Sequence, residues 1–413
     1  MKILMLDKYH YIKGGSETYL FALKDILEKK GHEIIMFSMQ SDKNFESKYS
    51  KYFVKNIDYT QGGINKIKNA VKLINSKEAY NNLCRLIEDT KPDVAHINLI
   101  YHQLTPSVIH ALKKYNIPMV YVSHDYKIVC PNYKIYNNEV CRKCYGGKYI
   151  NATKTKCHKN SFINSLLVTI EAYYHKYKKS YELIDKIITP SYFVKEELIK
   201  AGIREDKIIA LPNFLTIDYN IDLKNIKKEN TLLYYGRLSN EKGLFVLMEA
   251  IKNIDKNINV KIIGVGPEEE KIRKFIEDEK LKNVKLLGFK SDKELYTEIA
   301  KAKCAVLPSI WHETFGLTVT EAFSLGTPVI GSKMGAIQEN IINLETGALF
   351  DSKDSTDLAN KINWLFNLKE EKYINLVQNS INKSKEYDIE KYYKKIINIY
   401  EEVLDKKREN IRI

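Results

Sequence analysis

Residues 308–332 read PSIWHETFGLTVTEAFSLGTPVIGS, and this stretch decides how the rest of the chain is read. The KCAVL before it is apolar and strand-like, Pro308 turns the chain, Phe315 and Gly316 open a helix, and TPVIGS forms a further strand. Strand, helix and strand in this order make the repeating unit of a parallel sheet. Such sheets bind ligands beyond the carboxyl ends of their strands, where a helix N-terminus favours phosphate. Gly316 lets a ligand approach the backbone closely. Glu313 lies just before the helix and Glu321 within it, seven residues intervening, so the two can hold separate parts of one extended ligand. Acids near a helix start also serve as ordinary caps, and the stretch by itself leaves both readings open.

The same alternation runs outward in both directions. KILML, the glycine turn KGGSE, a stretch with Leu20, Leu23 and Leu27 on one face, and EIIMFSM open the chain as a βαβ unit. Strands are expected at Val94–Ile97, Met119–Ser123 and Lys186–Thr189, with helical patterns at Ala79–Asp89 and Thr105–Lys114 between them. A second series follows in TLLYYGRL, VKIIGVG, VKLLGF, KCAVLPS and TPVIGS. The fold class is therefore α/β, with two doubly wound, Rossmann-like domains, as a chain of 413 residues leads one to expect. Pro212 and Asn213 break the pattern ahead of a lysine- and asparagine-rich stretch. We place the first domain at 1–212, with a cysteine-rich insertion at about 130–160, and the second at 213–388. Residues 389–413, with Tyr392, Ile396, Ile397 and Tyr400 at helical spacing, are expected to form a helix that packs back on the first domain.

Composition narrows the class. Hydrophobic residues make up 44% and charged residues 29% of the chain, and no apolar run approaches the ~20 residues that span a bilayer. With no leader-like segment ahead of KILML, a soluble cytoplasmic protein is expected. The net charge of +14 is unevenly distributed: residues 1–215 hold 34 Lys and Arg against 21 Asp and Glu, the remainder 32 against 31. Residues 127–179 alone carry eleven basic side chains and two acids, a field that attracts phosphates, anionic lipid or nucleic acid. A lysine-rich composition with solvated surfaces accounts for the same numbers.

The stretch around Glu313 closely resembles the signature of family 4 retaining glycosyltransferases, in which two glutamates seven residues apart frame a Phe-Gly-Leu turn, followed by Glu-Ala and Gly-x-Pro-Val. The resemblance continues in GGSE (14–17), HD (124–125), TPS (189–191), YGRLSNEKG (235–243) and IIGVGP (262–267), in the family's order and over nearly the whole chain. It implies a GT-B fold, two Rossmann-like domains facing across a cleft. It also implies transfer of a sugar from a nucleotide-diphosphate sugar to an acceptor with retention of configuration, without a catalytic metal. By the same resemblance Glu313 holds donor-sugar hydroxyls together with the amides around Phe315, Gly316 and Leu317, and Glu321 accepts hydrogen bonds from the ribose. Arg237 and Lys242 lie in a turn between a strand and a helix, where two cations can neutralise a departing diphosphate. Gly264 and Gly266 are expected to admit the base and ribose, although a plain turn explains a glycine pair equally well. Gly14 and Gly15 offer amides to the donor phosphate. Glu17, His124 and Asp125 fall on the acceptor side, where His124 is placed to hydrogen-bond the transferred sugar or the incoming hydroxyl.

Cys130, Cys141, Cys144 and Cys157 follow the spacing C-x10-C-x2-C-x12-C in a segment poor in aliphatic residues. A structural zinc would supply the order that burial does not. Unligated thiols or a redox CxxC are the alternatives. Cys84 and Cys304 fall in a helical and a strand pattern and read as core residues. The basic first half suits an anionic acceptor, a polyprenyl-linked saccharide of bacterial surface-polysaccharide assembly, on the inner membrane face. In the helical stretch 162–177, Phe162, Leu166, Ile170 and Tyr173 share a face, which rests on that surface or, the more ordinary arrangement, faces the core. Rival readings are a silent nucleotide-sugar sensor on the same fold, a nucleotide-sugar epimerase, and a zinc-ribbon nucleic-acid-binding protein. The last explains the charge but leaves the Glu313–Glu321 stretch without a role.

Overall fold

Short apolar strands pair side by side in each half of the chain, and every pairing is parallel. In the first half these are β1 (Lys2–Leu6), β2 (Glu33–Phe37), β3 (Val94–Ile97), β4 (Met119–Val122), β5 (Lys186–Thr189) and β6 (Ile208–Ala210), in the order β2-β1-β3-β4-β5-β6. The second half has β7 (Glu229–Tyr235), β8 (Asn259–Ile263), β9 (Val284–Leu286), β10 (Ala302–Leu307), β11 (Val329–Ser332) and β12 (Gly347–Phe350), in the order β12-β11-β10-β7-β8-β9. The computed structural model describes residues 1–57, 72–217 and 223–412. It divides into two units, one of residues 1–137, 141–216 and 389–413, the other of 138–140 and 217–388.

The central strands are buried from end to end, as VAHI in β3 and MVYV in β4 show, because helices cover both faces of a parallel sheet. Helix Gly15–Lys29 lays Tyr19, Leu20, Leu23 and Leu27 on the first sheet. Ser76, Ser161 and Ser191 each accept a backbone N–H at the start of their helices, which sets where those helices begin. In the second unit the apolar helix Leu244–Ile251 packs on one face of the sheet with Ile262 and Val306, while Val319, Ala322 and Phe323 pack on the other.

The helix Ile389–Arg412 belongs to the first unit. Tyr392, Ile396, Ile399, Tyr400 and Val403 join its core, where the Tyr392 and Tyr19 hydroxyls share a hydrogen bond of 2.6 Å and the Tyr400 hydroxyl lies 2.7 Å from Nδ1 of His96 in β3. Two tyrosines thus seat the helix on β3 and on Gly15–Lys29, and each buried hydroxyl is satisfied.

Helix Phe162–Tyr177 overturns the expectation of an ordinary core-facing helix. Phe162, Leu166, Ile170 and Tyr173 are exposed, and the buried residues are Ser165, Val168, Thr169, Glu171 and His175. Buried polar partners explain the reversal: Glu171 Oε2 meets Lys127 Nζ at 2.7 Å, the Thr169 and Thr153 hydroxyls meet at 2.8 Å, and His175 lies 2.8 Å from the Ile74 carbonyl.

Candidate functional site

In the second sheet the chain winds outward from β7 in one direction to β8 and β9 and in the other through β10 to β12. The switch therefore lies between β7 and β10, where open α/β sheets leave a crevice at the carboxyl end. The loops after these two strands carry most of the residues singled out in this half. After β7, Arg237 is exposed and its guanidinium makes no ion pair among the described residues. Lys242 ends a short turn, Asn240–Lys242, and Gly243 leads into helix Leu244–Ile251 with φ +70°. A Cβ on Gly243 would lie 1.8 Å from the Pro308 carbonyl oxygen, so the absence of a side chain brings the two loops together.

After β10, Glu313 is buried and its Oε1 accepts three hydrogen bonds: from Ser309 Oγ at 2.6 Å, Lys242 Nζ at 2.7 Å and Trp311 Nε1 at 2.9 Å. The Lys242 ammonium also lies 5.5 Å from the centre of the Trp311 ring. Oε2 takes none of these bonds and keeps its capacity to accept from a hydroxyl. The Glu313 carbonyl accepts from Ala336 N at 2.9 Å, and the Phe315 carbonyl from Asn340, which Tyr387 holds in turn at 2.8 Å. Gly316 has φ +83° at the N-cap of helix Leu317–Ser324, a conformation that suits glycine, and no side chain caps that helix. Its first amides are thus available to a ligand. Glu321 lies inside this helix, and burial pushes its carboxyl up to about 7.

Gly264 and Gly266 have a structural reason beside the expected one. A Cβ on Gly264 would fall 1.9 Å from the Gly236 carbonyl oxygen, and one on Gly266 2.2 Å from that of Leu238. The loop after β8 packs against the loop after β7, and this contact between backbones accounts for both glycines.

In the first unit the sheet switches between β1 and β3. Gly14 caps helix Gly15–Lys29 in an extended conformation open to any residue, and Glu17 is buried in its first turn. Beside Glu17, at the end of β1, stands Asp7, which sequence reading missed. Burial first and Glu17 second push the Asp7 carboxyl up to about 7, while Asn98, just beyond β3, donates to its Oδ2 at 2.5 Å. A lone aspartate directly after an apolar strand was the available signal. His124, after β4, packs its ring 4.8 Å from that of Tyr19, and burial lowers it to about 3, so it is a neutral imidazole at physiological pH. Asp125 is held by its own chain: Oδ1 accepts from Lys127 N at 2.9 Å and Oδ2 from the Tyr101 hydroxyl. That arrangement gives Asp125 the work of fixing the turn after β4.

The expected zinc is not supported. Among the described residues no group of three or more His, Cys, Asp or Glu is placed to hold a metal ion. The four thiols of Cys130, Cys141, Cys144 and Cys157 do line one small cavity of about 10 Å³. Burial pushes Cys144 up to about 12 and Cys157 up to about 11, which leaves both protonated at neutral pH. Protein bonds order the segment instead: Asn132 donates to the Cys157 carbonyl at 2.9 Å, and Arg142 and Tyr145 reach the buried Glu197 at 2.6 and 2.7 Å. Cys84 and Cys304 are buried, as read.

Two family descriptions match the chain: Glycosyltransferase Family 4 over residues 13–219 and Glycosyl transferases group 1 over residues 218–383. An uncharacterised glycosyltransferase of Methanocaldococcus jannaschii is 26% identical over 407 residues, covering 98% of this chain and 99% of that protein. The O-antigen chain mannosyltransferase C of Escherichia coli is 27% identical over 192 residues, 44% of this chain and 50% of its own. Among solved structures, Anabaena HepE in complex with UDP superposes with a TM-score of 0.65 at 18% identity, over 97% of this chain and 100% of that one. The sucrose-phosphate synthase of Thermosynechococcus elongatus gives 0.69 at 18% identity, over 98% and 99%. At such identities the likeness establishes the fold, two Rossmann-like domains of the GT-B class.

Proposed function

The chain belongs to Glycosyltransferase Family 4, and from that premise we propose that it moves a sugar from a nucleoside-diphosphate donor to a saccharide or lipid-linked saccharide acceptor, with retention of configuration. The observation that carries the donor half of this reading is the convergence of Lys242, Ser309 and Trp311 on one oxygen of Glu313 at the sheet's switch point. A carboxylate fixed through one oxygen presents the other in a set direction, which suits recognition of a sugar hydroxyl. The amides of Phe315, Gly316 and Leu317 lie in the same turn and add donors to it. Glu321 takes the ribose.

In the transfer, the acceptor oxygen bonds the anomeric carbon on the face from which the diphosphate leaves, and the acceptor proton passes to the leaving phosphate oxygen. Negative charge grows on that phosphate, and Arg237 and Lys242 supply the opposite charge without a divalent cation. In the first unit, the amides of Gly14 and Gly15 are assigned to phosphate, and Glu17 and His124 to the acceptor. A neutral His124 acts there as a hydrogen-bonding group rather than as a cation.

The similarity to an O-antigen mannosyltransferase supports a role in bacterial surface-polysaccharide synthesis. The test is incubation of the purified protein with a panel of nucleotide sugars and lipid-linked saccharides, with the anomeric configuration of the product read by NMR. A product of inverted configuration would reject the retaining assignment, and nucleotide-sugar binding without any product would favour the sensor reading.

A further inference from the structure

Helix Phe162–Tyr177 is built inside out. Phe162 (54% exposed), Ile163 (60%), Leu166 (36%), Ile170 (45%), Tyr173 (39%) and Tyr177 (83%) face outward. At 3.6 residues per turn these six fall within a single arc of about 100°. The rest of the circumference puts Ser165, Val168, Thr169, Glu171 and His175 inside, and all of these but Val168 have a hydrogen-bonding partner in the protein. A helix meeting water on its outer side has the reverse arrangement, so this outer face is composed for a neighbour that is not water. Ile150, 43% exposed, extends the apolar strip, since its amide hydrogen-bonds the Tyr173 hydroxyl at 3.2 Å.

The neighbour is identified by charge. Between residues 148 and 179 the chain carries Lys148, Lys154, Lys156, Lys159, Lys176, Lys178 and Lys179, all exposed, and a single acid, Glu171, which is buried against Lys127. Apolar and aromatic side chains bordered by lysines match an anionic bilayer surface, where the rings lie at the headgroup level and ammonium groups meet lipid phosphates. A second copy of the chain is disfavoured, because a two-fold contact through this face would bring two lysine borders together.

We propose that helix Phe162–Tyr177 lies in the plane of an anionic membrane and docks the enzyme on it. No helix among the described residues is long and apolar enough to cross a membrane, so the attachment is peripheral and reversible. The inference rests on the helix itself, and it gives the lipid-linked acceptor proposed above a place to be met.

The test is co-sedimentation with vesicles of phosphatidylcholine alone or with one quarter phosphatidylglycerol, at low and high salt. The expected result is binding to the anionic vesicles at low salt, weakened at least tenfold by high salt, by Ile163→Ser with Ile170→Ser, and by Lys176→Glu with Lys178→Glu and Lys179→Glu. All five positions are exposed, so the variants are expected to keep the thermal midpoint and the nucleotide-sugar affinity of the wild type in solution. Those two controls separate a failure of membrane docking from a failure of the transferase reading. Equal binding to both vesicle types, or vesicle binding unchanged in the serine variant, would overturn the proposal. So would a dimer in sedimentation velocity that the serine variant abolishes, which would identify a second copy as the occupant.

Discussion

Glu313 accepts three hydrogen bonds on one oxygen, and each donor comes from a loop that the switch in strand order brings to the same place. Lys242→Ala removes the cation from this group and, on the proposed reading, from the donor phosphate as well, and should weaken nucleotide-sugar binding tenfold or more, as calorimetry would read. Arg237→Ala is expected to lower kcat roughly 100-fold with a smaller change in KM, since its charge acts mainly as the diphosphate departs. With these two cations in place of a metal, turnover should survive brief EDTA treatment, and strict dependence on added magnesium or manganese would contradict the assignment. Glu321 makes a pH prediction. Its carboxyl is raised to about 7 by burial, whereas in the proposed role its ionised form accepts from the ribose hydroxyls. Donor affinity should therefore rise between about pH 6 and pH 8, and Glu321→Gln should flatten that rise. The same raised value makes ionised Glu321 a cost to the fold, so its contribution to stability is full below the usual carboxyl range and lost as pH rises through about 7. Sequence made the residues of 308–332 legible because one short stretch holds turn, cap and acids together. It could not show the backbone contact behind Gly264 and Gly266, which joins two separate loops. It passed over Asp7, whose one signal, its place directly after an apolar strand, is weaker than a spaced motif.

Strands with several branched residues and helices with an apolar stripe were readable from period alone, and ten of the twelve strands lie where a period-based reading puts them. The exceptions, β6 and β12, lie at the sheet edges, and length is not the reason, since β9 is as short at an edge and was readable. Helix Phe162–Tyr177 misled as to its face: its periodicity was visible, but periodicity does not say which face turns inward. That depended on Lys127, 44 positions from Glu171, whose ammonium lies 2.7 Å from the carboxylate with both side chains nearly inaccessible. Lys127→Met would leave Glu171 buried without its partner and should cost about 3–5 kcal/mol in denaturant unfolding. The double variant Lys127→Met with Glu171→Leu should recover most of that loss. If the single variant is as stable as the wild type, the pair does not hold the polar face inward.

Over the whole molecule, the two parallel sheets follow from the alternation of strand and helix, and family membership from motifs spread along the chain. The role of the cysteines did not follow. Their spacing resembles a zinc site, yet hydrogen bonds from Asn132, Arg142 and Tyr145 order the segment, and such bonds between distant positions leave no mark in a spacing pattern. The second sheet's strand order, which gathers Arg237, Lys242, Glu313 and Gly316 at one switch point, carries the central claim that this unit binds a nucleoside-diphosphate sugar. Calorimetric titration of the full chain with UDP-, GDP-, ADP- and dTDP-linked sugars, beside the Lys242→Ala variant, tests it most directly. The expected result is saturable binding of at least one nucleotide sugar by the wild type, weakened tenfold or more in the variant. No binding across the whole panel, or equal affinity in both proteins, would contradict it.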